Sequence, residues 1–385
     1  MKYVIYTGVF FMPDGNAAAQ RAHAIEQILK KLGYTPIIIG MNQNGDSGKI
    51  LESKYEKDDS FYYSINYPQK SIDWIKVLFE IDHIKTVVNT LGCENVHAII
   101  AMDYFSIALN RLIKYCKRNN IRFIADTVDW FAKSNYKFPK RIIKDFDTFY
   151  RMKIVHKKSE YMITISSFLK KYYTSNVKKI VQIPGMFVPL KCNLKTYESN
   201  KILTLAFVGS PGKKCEKEKI DWVIQAVCKI NKEKIRIKVI LVGVDKKSLE
   251  VNRPDITALN KFDESIDCLG RLEHDACIDI ITRSDFSVII REDTLLSNAG
   301  FPTKLGESYA CGTPVLATPT SDIADYVPEG YGFVTETCTY EAVEKGIYNL
   351  LLLPQTYIEN MHMKIRRDNP LSYTKFVKAM QEVID

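Results

Sequence analysis

The stretch Gly300-Phe-Pro-Thr-Lys-Leu-Gly-Glu-Ser-Tyr-Ala-Cys-Gly-Thr-Pro-Val-Leu-Ala-Thr318 decides how this chain is read. It predicts a loop, a short helix, a glycine turn and a buried strand. Pro302 suits a helix start, where its missing N–H costs nothing. Gly312 suits the C-terminal turn, and Pro314 to Ala317 reads as a parallel-type strand. Lys304 and Glu307 are three apart and share one helix face near its N-terminus. Exposed backbone N–H groups beside a lysine make an anion site. A carboxylate one turn further on accepts hydrogen bonds from two neighbouring sugar hydroxyls. Phosphate beside ribose is the outline of a nucleotide diphosphate. The plainer alternative is a surface Lys–Glu pair worth about 0.2–0.5 kcal/mol.

Outward from this segment, short apolar runs alternate with helical patterns, which marks doubly wound α/β domains. The first strand is expected at 3–7 and a loop at 8–15. A helix follows near 16–32, with Ala18, Ala22, Ile25, Leu29 and Leu32 on one face. Further strands are expected at 35–40, 97–101, 122–125 and 161–165, and a polar loop excursion at 42–59. A second series has strands at 203–208, 235–242, 286–290 and 315–317. Its helices are expected at 219–230, 275–283, 303–310 and 340–352. The polar, strand-poor join predicts domains at 1–190 and 201–368, with a linker at 191–200. A closing segment, 369–385, carries a helix after Asn369-Pro370.

With 385 residues, two or three domains with full cores are expected. No apolar run approaches the roughly 20 residues that span a bilayer, and Met1-Lys-Tyr-Val-Ile-Tyr6 lacks signal-peptide features. A cytoplasmic location is therefore expected. Nine dispersed cysteines without a Cys-x-x-Cys pair fit reduced core thiols rather than a zinc or redox motif. The formal charge of +9 is uneven: from Arg111 to Lys179 there are 18 Lys/Arg against 5 Asp/Glu, interleaved with aromatics. This surface suits an anionic membrane or stands as a plain solvated face. No nucleic-acid-binding motif accompanies the charge.

Other segments carry candidate chemistry. Ala206-Phe-Val-Gly-Ser-Pro-Gly-Lys-Lys214 ends a strand in a glycine-rich loop able to hold phosphate through N–H groups and charge. Arg291 leaves a buried strand at its C-terminal end, where α/β ligands bind. In Pro13-Asp-Gly-Asn-Ala-Ala-Ala-Gln-Arg21, Gly15 lets the backbone approach a ligand, and Arg21 sits on the following helix. It faces either a cleft or the solvent. Asp126 and Asp129 follow a strand, and either orients an acceptor hydroxyl proton or serves in turn chemistry. Ser166 reads as a helix cap.

The 300–318 stretch resembles the donor-site motif of GT-B glycosyltransferases, in particular the large family 4, where it runs roughly Phe-Pro-x-Lys-x-x-Glu-x-x-Ala-x-Gly-x-Pro-Val. The resemblance implies two Rossmann-like α/β domains facing a central cleft, with the closing helix crossing back to the N-terminal domain. It implies a hexosyl transfer from a nucleotide-diphosphate sugar, a UDP-sugar foremost, to a glycan or lipid-linked acceptor in cell-surface polysaccharide assembly. By the same resemblance, lysines of the 210–219 region bind the diphosphate. Ser210 replaces the usual Arg there, and Lys213 and Lys219 are the candidates, with Lys214 and Lys217 as alternatives. Gly270-Arg271-Leu-Glu-His274 resembles the turn beside the donor base, with His274 read as a helix-start or packing residue. Glu307 matches the second of two family carboxylates. The resemblance implies retention of anomeric configuration, but Ala299 stands where the first would be, so Asn298, Gly300 and Phe301 join the donor candidates and retention versus inversion stays open. No metal site and no cofactor are expected, since lysines, arginines and helix dipoles stabilise the leaving diphosphate. A non-hydrolysing UDP-sugar 2-epimerase, or a non-catalytic sugar-nucleotide or membrane-binding subunit, is the alternative reading.

Overall fold

A computed structural model of the chain describes residues 2–11, 17–42, 51–55, 60–68, 70–130, 138, 140–188 and 202–385. Gly15 and the 191–200 segment lie outside the described residues. The chain divides into two compact units, 1–188 with 373–385, and 189–372.

The first unit is built on an eight-stranded sheet. Its strands are β1 (Tyr3–Phe11), β2 (Thr35–Asn42), β3 (Leu51–Tyr55), β4 (Ser60–Asn66), β5 (Val96–Met102), β6 (Arg122–Thr127), β7 (Tyr161–Thr164) and β8 (Lys179–Gln182). Their order is β3-β4-β2-β1-β5-β6-β7-β8, parallel except for the β3–β4 pair. The central strands are near-continuous apolar runs because helices cover both sheet faces. Val4, Ile5 and Tyr6 of β1 and Ile99 and Ile100 of β5 are fully buried. Helix Ala17–Lys31 covers them with Ala22, Ile25 and Leu29, the helical stripe expected from sequence. The 42–59 stretch corrects one expectation: it contains β3, an edge strand. Residues 373–385 pack here, where Arg122 donates to the Val383 and Asp385 carbonyls and His97 bonds that of Ile384.

The second unit has six strands, all parallel: β9 (Leu203–Val208), β10 (Ile237–Val242), β11 (Ile266–Gly270), β12 (Phe286–Ile289), β13 (Val315–Ala317) and β14 (Gly332–Val334). Their order is β11-β10-β9-β12-β13-β14. Its core includes Leu205, Phe207, Val239, Leu241, Phe286 and Ile347. The deciding stretch folds as read. Pro302 precedes helix Thr303–Ala310, and β13 follows. Gly312, at φ +76°, ends that helix. Its N–H bonds Tyr309 O at 3.1 Å while Thr313 N–H bonds Ser308 O at 2.9 Å. This paired closure needs the left-handed conformation that glycine adopts without strain. No helix of the described residues is long and apolar enough to cross a membrane.

At the C-terminal end of β6, Asp126 is fully buried and Arg21 is 4% exposed. Arg21 grips Asp126 with two donors, Nη2 at 2.7 Å and Nε at 2.9 Å, and Tyr6 Oη donates to it at 2.7 Å. Arg21 Nη1 also donates to Ile183 O and Pro184 O, so one guanidinium ties helix Ala17–Lys31 to β6 and the segment after β8. Burial opposes the Arg21 charge, but Asp126 and Tyr6 more than offset it and hold the side chain protonated. Removing one partner leaves the other charge buried and uncompensated. Asp126→Ala is therefore expected to cost about 3–5 kcal/mol in urea unfolding. A loss under about 1 kcal/mol would mean that the pair is dispensable to the sheet.

Candidate functional site

A mostly covered charged cluster lies beyond the C-terminal ends of β9 and β12 in the second unit. Its centre is Glu218, only 2% exposed, on the turn between β9 and helix Ile220–Ile230. Lys304 Nζ donates to Glu218 Oε1 at 3.1 Å, and Arg291 Nε stands 3.6 Å from the same oxygen, beyond hydrogen-bond reach. Both cations are mostly covered, at 17% and 14% exposure. The hydrogen bonding is incomplete. Among the described residues, Glu218 Oε2 and Arg291 Nε and Nη1 have no hydrogen-bond partner. A buried polar atom without a partner costs about 1–3 kcal/mol, so the Arg291 donors are open to a further acceptor. A cationic rim with unused donors fits an anion.

Backbone geometry brings these side chains together. Gly209, one residue beyond β9, has φ +130°, and a Cβ there would meet Lys304 Cε and Nζ at 3.1 Å. The missing side chain leaves the channel through which Lys304 passes. Lys304 Nζ then lies 4.9 Å from the Phe207 ring centroid, a cation–π contact that steadies it. Arg291 is held at its backbone: its N–H donates to Thr318 Oγ1 at 2.8 Å, and that hydroxyl donates to Arg291 O at 2.8 Å. The ends of β12 and β13 are thereby clamped side by side.

Glu307 lies one turn after Lys304 on the same helix, and its side chain makes no hydrogen bond among the described residues. Burial pushes its carboxyl above the ordinary value, while His274 and Lys304 pull the other way. His274 is the first residue of helix His274–Arg283 and lies close enough to Glu307 to act on its charge. A half-buried acceptor with open lone pairs suits neutral hydroxyl donors.

The other expected residues are placed less centrally. Lys219 Nζ pairs with Glu292 at 3.1 Å and lies over the Trp222 ring, while its N–H donates to Ile290 O at 2.7 Å. It borders the cluster with its charge already matched. Ser210, Lys213 and Arg271 are exposed at strand-end loops. Asn298 is bonded on both sides, donating to Asp293 and accepting from Ser321 N–H at 2.9 Å. Gly300 O accepts from Ser321 Oγ at 2.6 Å, and Phe301 packs edge-on against Tyr326. These three shape the loop before the helix rather than presenting free polar groups. Ala299 is fully buried.

In the first unit the structure departs from expectation. Arg21 and Asp126 are buried against each other and not turned to solvent. Asp129 is exposed beyond β6. Ser166 caps helix Ser167–Tyr173, accepting from Leu169 N–H at 3.3 Å. Two residues were not anticipated. One is Glu218. The other is Asp103, just past β5, whose carboxyl burial raises to about 7 against the pull of Arg151. Among the described residues, no group of three or more His, Cys, Asp or Glu is placed to hold a metal ion.

Comparison with known proteins bears on the fold. Residues 203–352 match the family described as Glycosyl transferases group 1. A protein of Methanocaldococcus jannaschii described as an uncharacterised glycosyltransferase is 25% identical over 247 residues. That match spans 60% of this chain and 60% of the relative. A glycosyltransferase from Rickettsia africae superposes with a TM-score of 0.66 at 18% identity, covering 100% of this chain and 98% of that one. HepE of Anabaena, solved with UDP and glucose, gives 0.63 at 13% identity, with 99% of each chain covered. The fold is that of GT-B glycosyltransferases.

If the cluster is completed by an anion, its stability should depend on one. Glu218→Gln is expected to lower the melting temperature, and added inorganic pyrophosphate to recover part of the deficit. Loss of one member of a covered charge cluster costs up to about 3–5 kcal/mol, which makes the shift easy to read in a thermal melt. A wild-type protein indifferent to pyrophosphate would count against an anion site here.

Proposed function

We propose that this chain, a GT-B protein of the group 1 glycosyltransferase kind, moves a hexosyl unit from a nucleotide-diphosphate sugar to a hydroxyl of a glycan or lipid-linked acceptor. The observation that carries this reading is the Lys304–Glu218–Arg291 cluster with its unused donors, one helical turn from Glu307. In our reading the diphosphate completes the hydrogen bonding of Arg291 and Lys304, and Glu307 accepts from the two ribose hydroxyls. The presence of UDP and glucose in the HepE structure supports a UDP-sugar as donor.

The chemistry follows from charge. Breaking the glycosidic bond to the diphosphate leaves extra negative charge on phosphate oxygens. Cations held in a low-dielectric pocket stabilise that charge without reorganising. Glu218 keeps both cations in place, Lys213 adds positive charge at the border, and Lys219 stands there paired with Glu292. No metal ion is invoked for this step. In the first unit, Asp129 is the residue we assign to orienting the acceptor hydroxyl. The Arg21–Asp126 pair holds the strand ends near it. The basic residues between Arg111 and Lys179 are read as holding the protein at an anionic membrane, where a lipid-linked acceptor of polysaccharide assembly would lie.

A nucleotide-sugar screen tests the reading. A matching donor should raise the melting temperature, and free nucleotide should be released, faster when acceptor is present. Protection without release or transfer would indicate a binding subunit. Glu307→Ala should weaken nucleotide binding by about 1.5–3 kcal/mol, the value of a hydrogen bond to a charged group, with the fold intact. Unchanged affinity in a folded variant would sink the ribose assignment. Turnover should also persist in excess chelator. Complete loss on chelation, restored by a divalent ion, would overturn the leaving-group assignment.

A further inference from the structure

Helix Lys140–Tyr150 of the first unit is inverted relative to an ordinary surface helix. Ile142, Ile143, Phe146 and Phe149 are 59%, 55%, 58% and 59% exposed. Their spacing places them on one face. Phe146 stacks on Tyr150, centroids 5.9 Å apart, which extends the stripe. The inward side is polar instead: Asp147 accepts from Ser106 N–H at 2.8 Å, and Thr148 is buried. Phe138, just before the helix, is 79% exposed. Cations accompany the stripe along the chain. Between residues 140 and 158 there are seven Lys/Arg against two Asp, and Arg141, Lys144, Lys153 and Lys158 are exposed.

We propose that this helix is an interfacial anchor. It lies in the plane of an anionic bilayer, with the four apolar side chains among the acyl chains and the cations at the headgroups. An apolar face beside Lys and Arg is the composition of helices that lie on membranes. Charge decides between possible occupants. A second copy docked on this face would set like cations against each other, whereas anionic headgroups neutralise them. The proposal deepens the peripheral attachment suggested above and takes its purpose, reach to a lipid-linked acceptor, from that reading. It differs from attachment by charge alone, because burial of apolar side chains resists salt while charge attraction is screened.

The test uses the full chain with vesicles of phosphatidylcholine, alone or mixed with phosphatidylglycerol, sedimented at low and high salt. Wild-type protein should follow the phosphatidylglycerol vesicles and stay partly bound at high salt. The triple variant Ile142→Ser, Phe146→Ser, Phe149→Ser should lose at least about tenfold in partitioning, at low salt as well. Phe149→Ser alone should show a smaller loss, which serves if the triple variant does not fold. Variants that bind like wild type would overturn the anchor, as would wild-type protein that ignores both vesicles. So would a wild-type dimer that the substitutions convert to monomer. Thermal protection by nucleotide is measured on the same samples. If it persists while vesicle binding fails, the anchor falls and the transferase reading stands. If it is absent while vesicle binding holds, the reverse applies.

Discussion

Glu218 sits between Lys304 and Arg291, and the three side chains come from three separate stretches of chain: the turn after β9, the helix after residue 302 and the end of β12. Two covered cations beside one another would repel strongly without a carboxylate between them. The other features of the site follow from this constraint. Gly209, without a side chain, leaves room for the end of Lys304, and Thr318 holds the Arg291 backbone through two hydrogen bonds.

The two units use buried charge in opposite ways. Arg21, Asp126 and Tyr6 form a network in which one carboxylate receives three donors and the guanidinium also bonds two carbonyls. A satisfied network rigidifies a strand end and leaves little for a ligand to gain. The cluster around Glu218 keeps unpartnered atoms on two of its members. That incompleteness distinguishes the two, although both occupy the C-terminal ends of parallel strands, where ligands of such sheets bind.

Much of this was legible along the chain. The 300–318 segment declared a helix between a proline start and a glycine stop because local rules govern both ends. The central parallel strands were legible because strands buried on both faces must be apolar throughout. The edge strand β3 was not, since Leu51-Glu-Ser-Lys-Tyr55 carries no apolar run or alternation strong enough to stand out from a loop. Glu218 was equally hidden. It lies in Lys213-Lys-Cys-Glu-Lys-Glu-Lys-Ile220, where nothing local distinguishes it from Glu216. Yet Glu216 is exposed and Glu218 is 2% exposed.

The sequence by itself determined two doubly wound α/β domains, the Lys304–Glu307 helix face and a basic region between Arg111 and Lys179. Each depends on residues near one another in the chain, through periodicity, turn chemistry or local charge. Tertiary structure decided the partnerships. It turned Arg21 and Asp126 toward each other across 105 positions and brought Lys304 to Glu218 across 86. It also decided that the Ile142–Phe149 stripe faces outward. Helical spacing defines a stripe, but which side meets the core depends on what the rest of the chain packs against it.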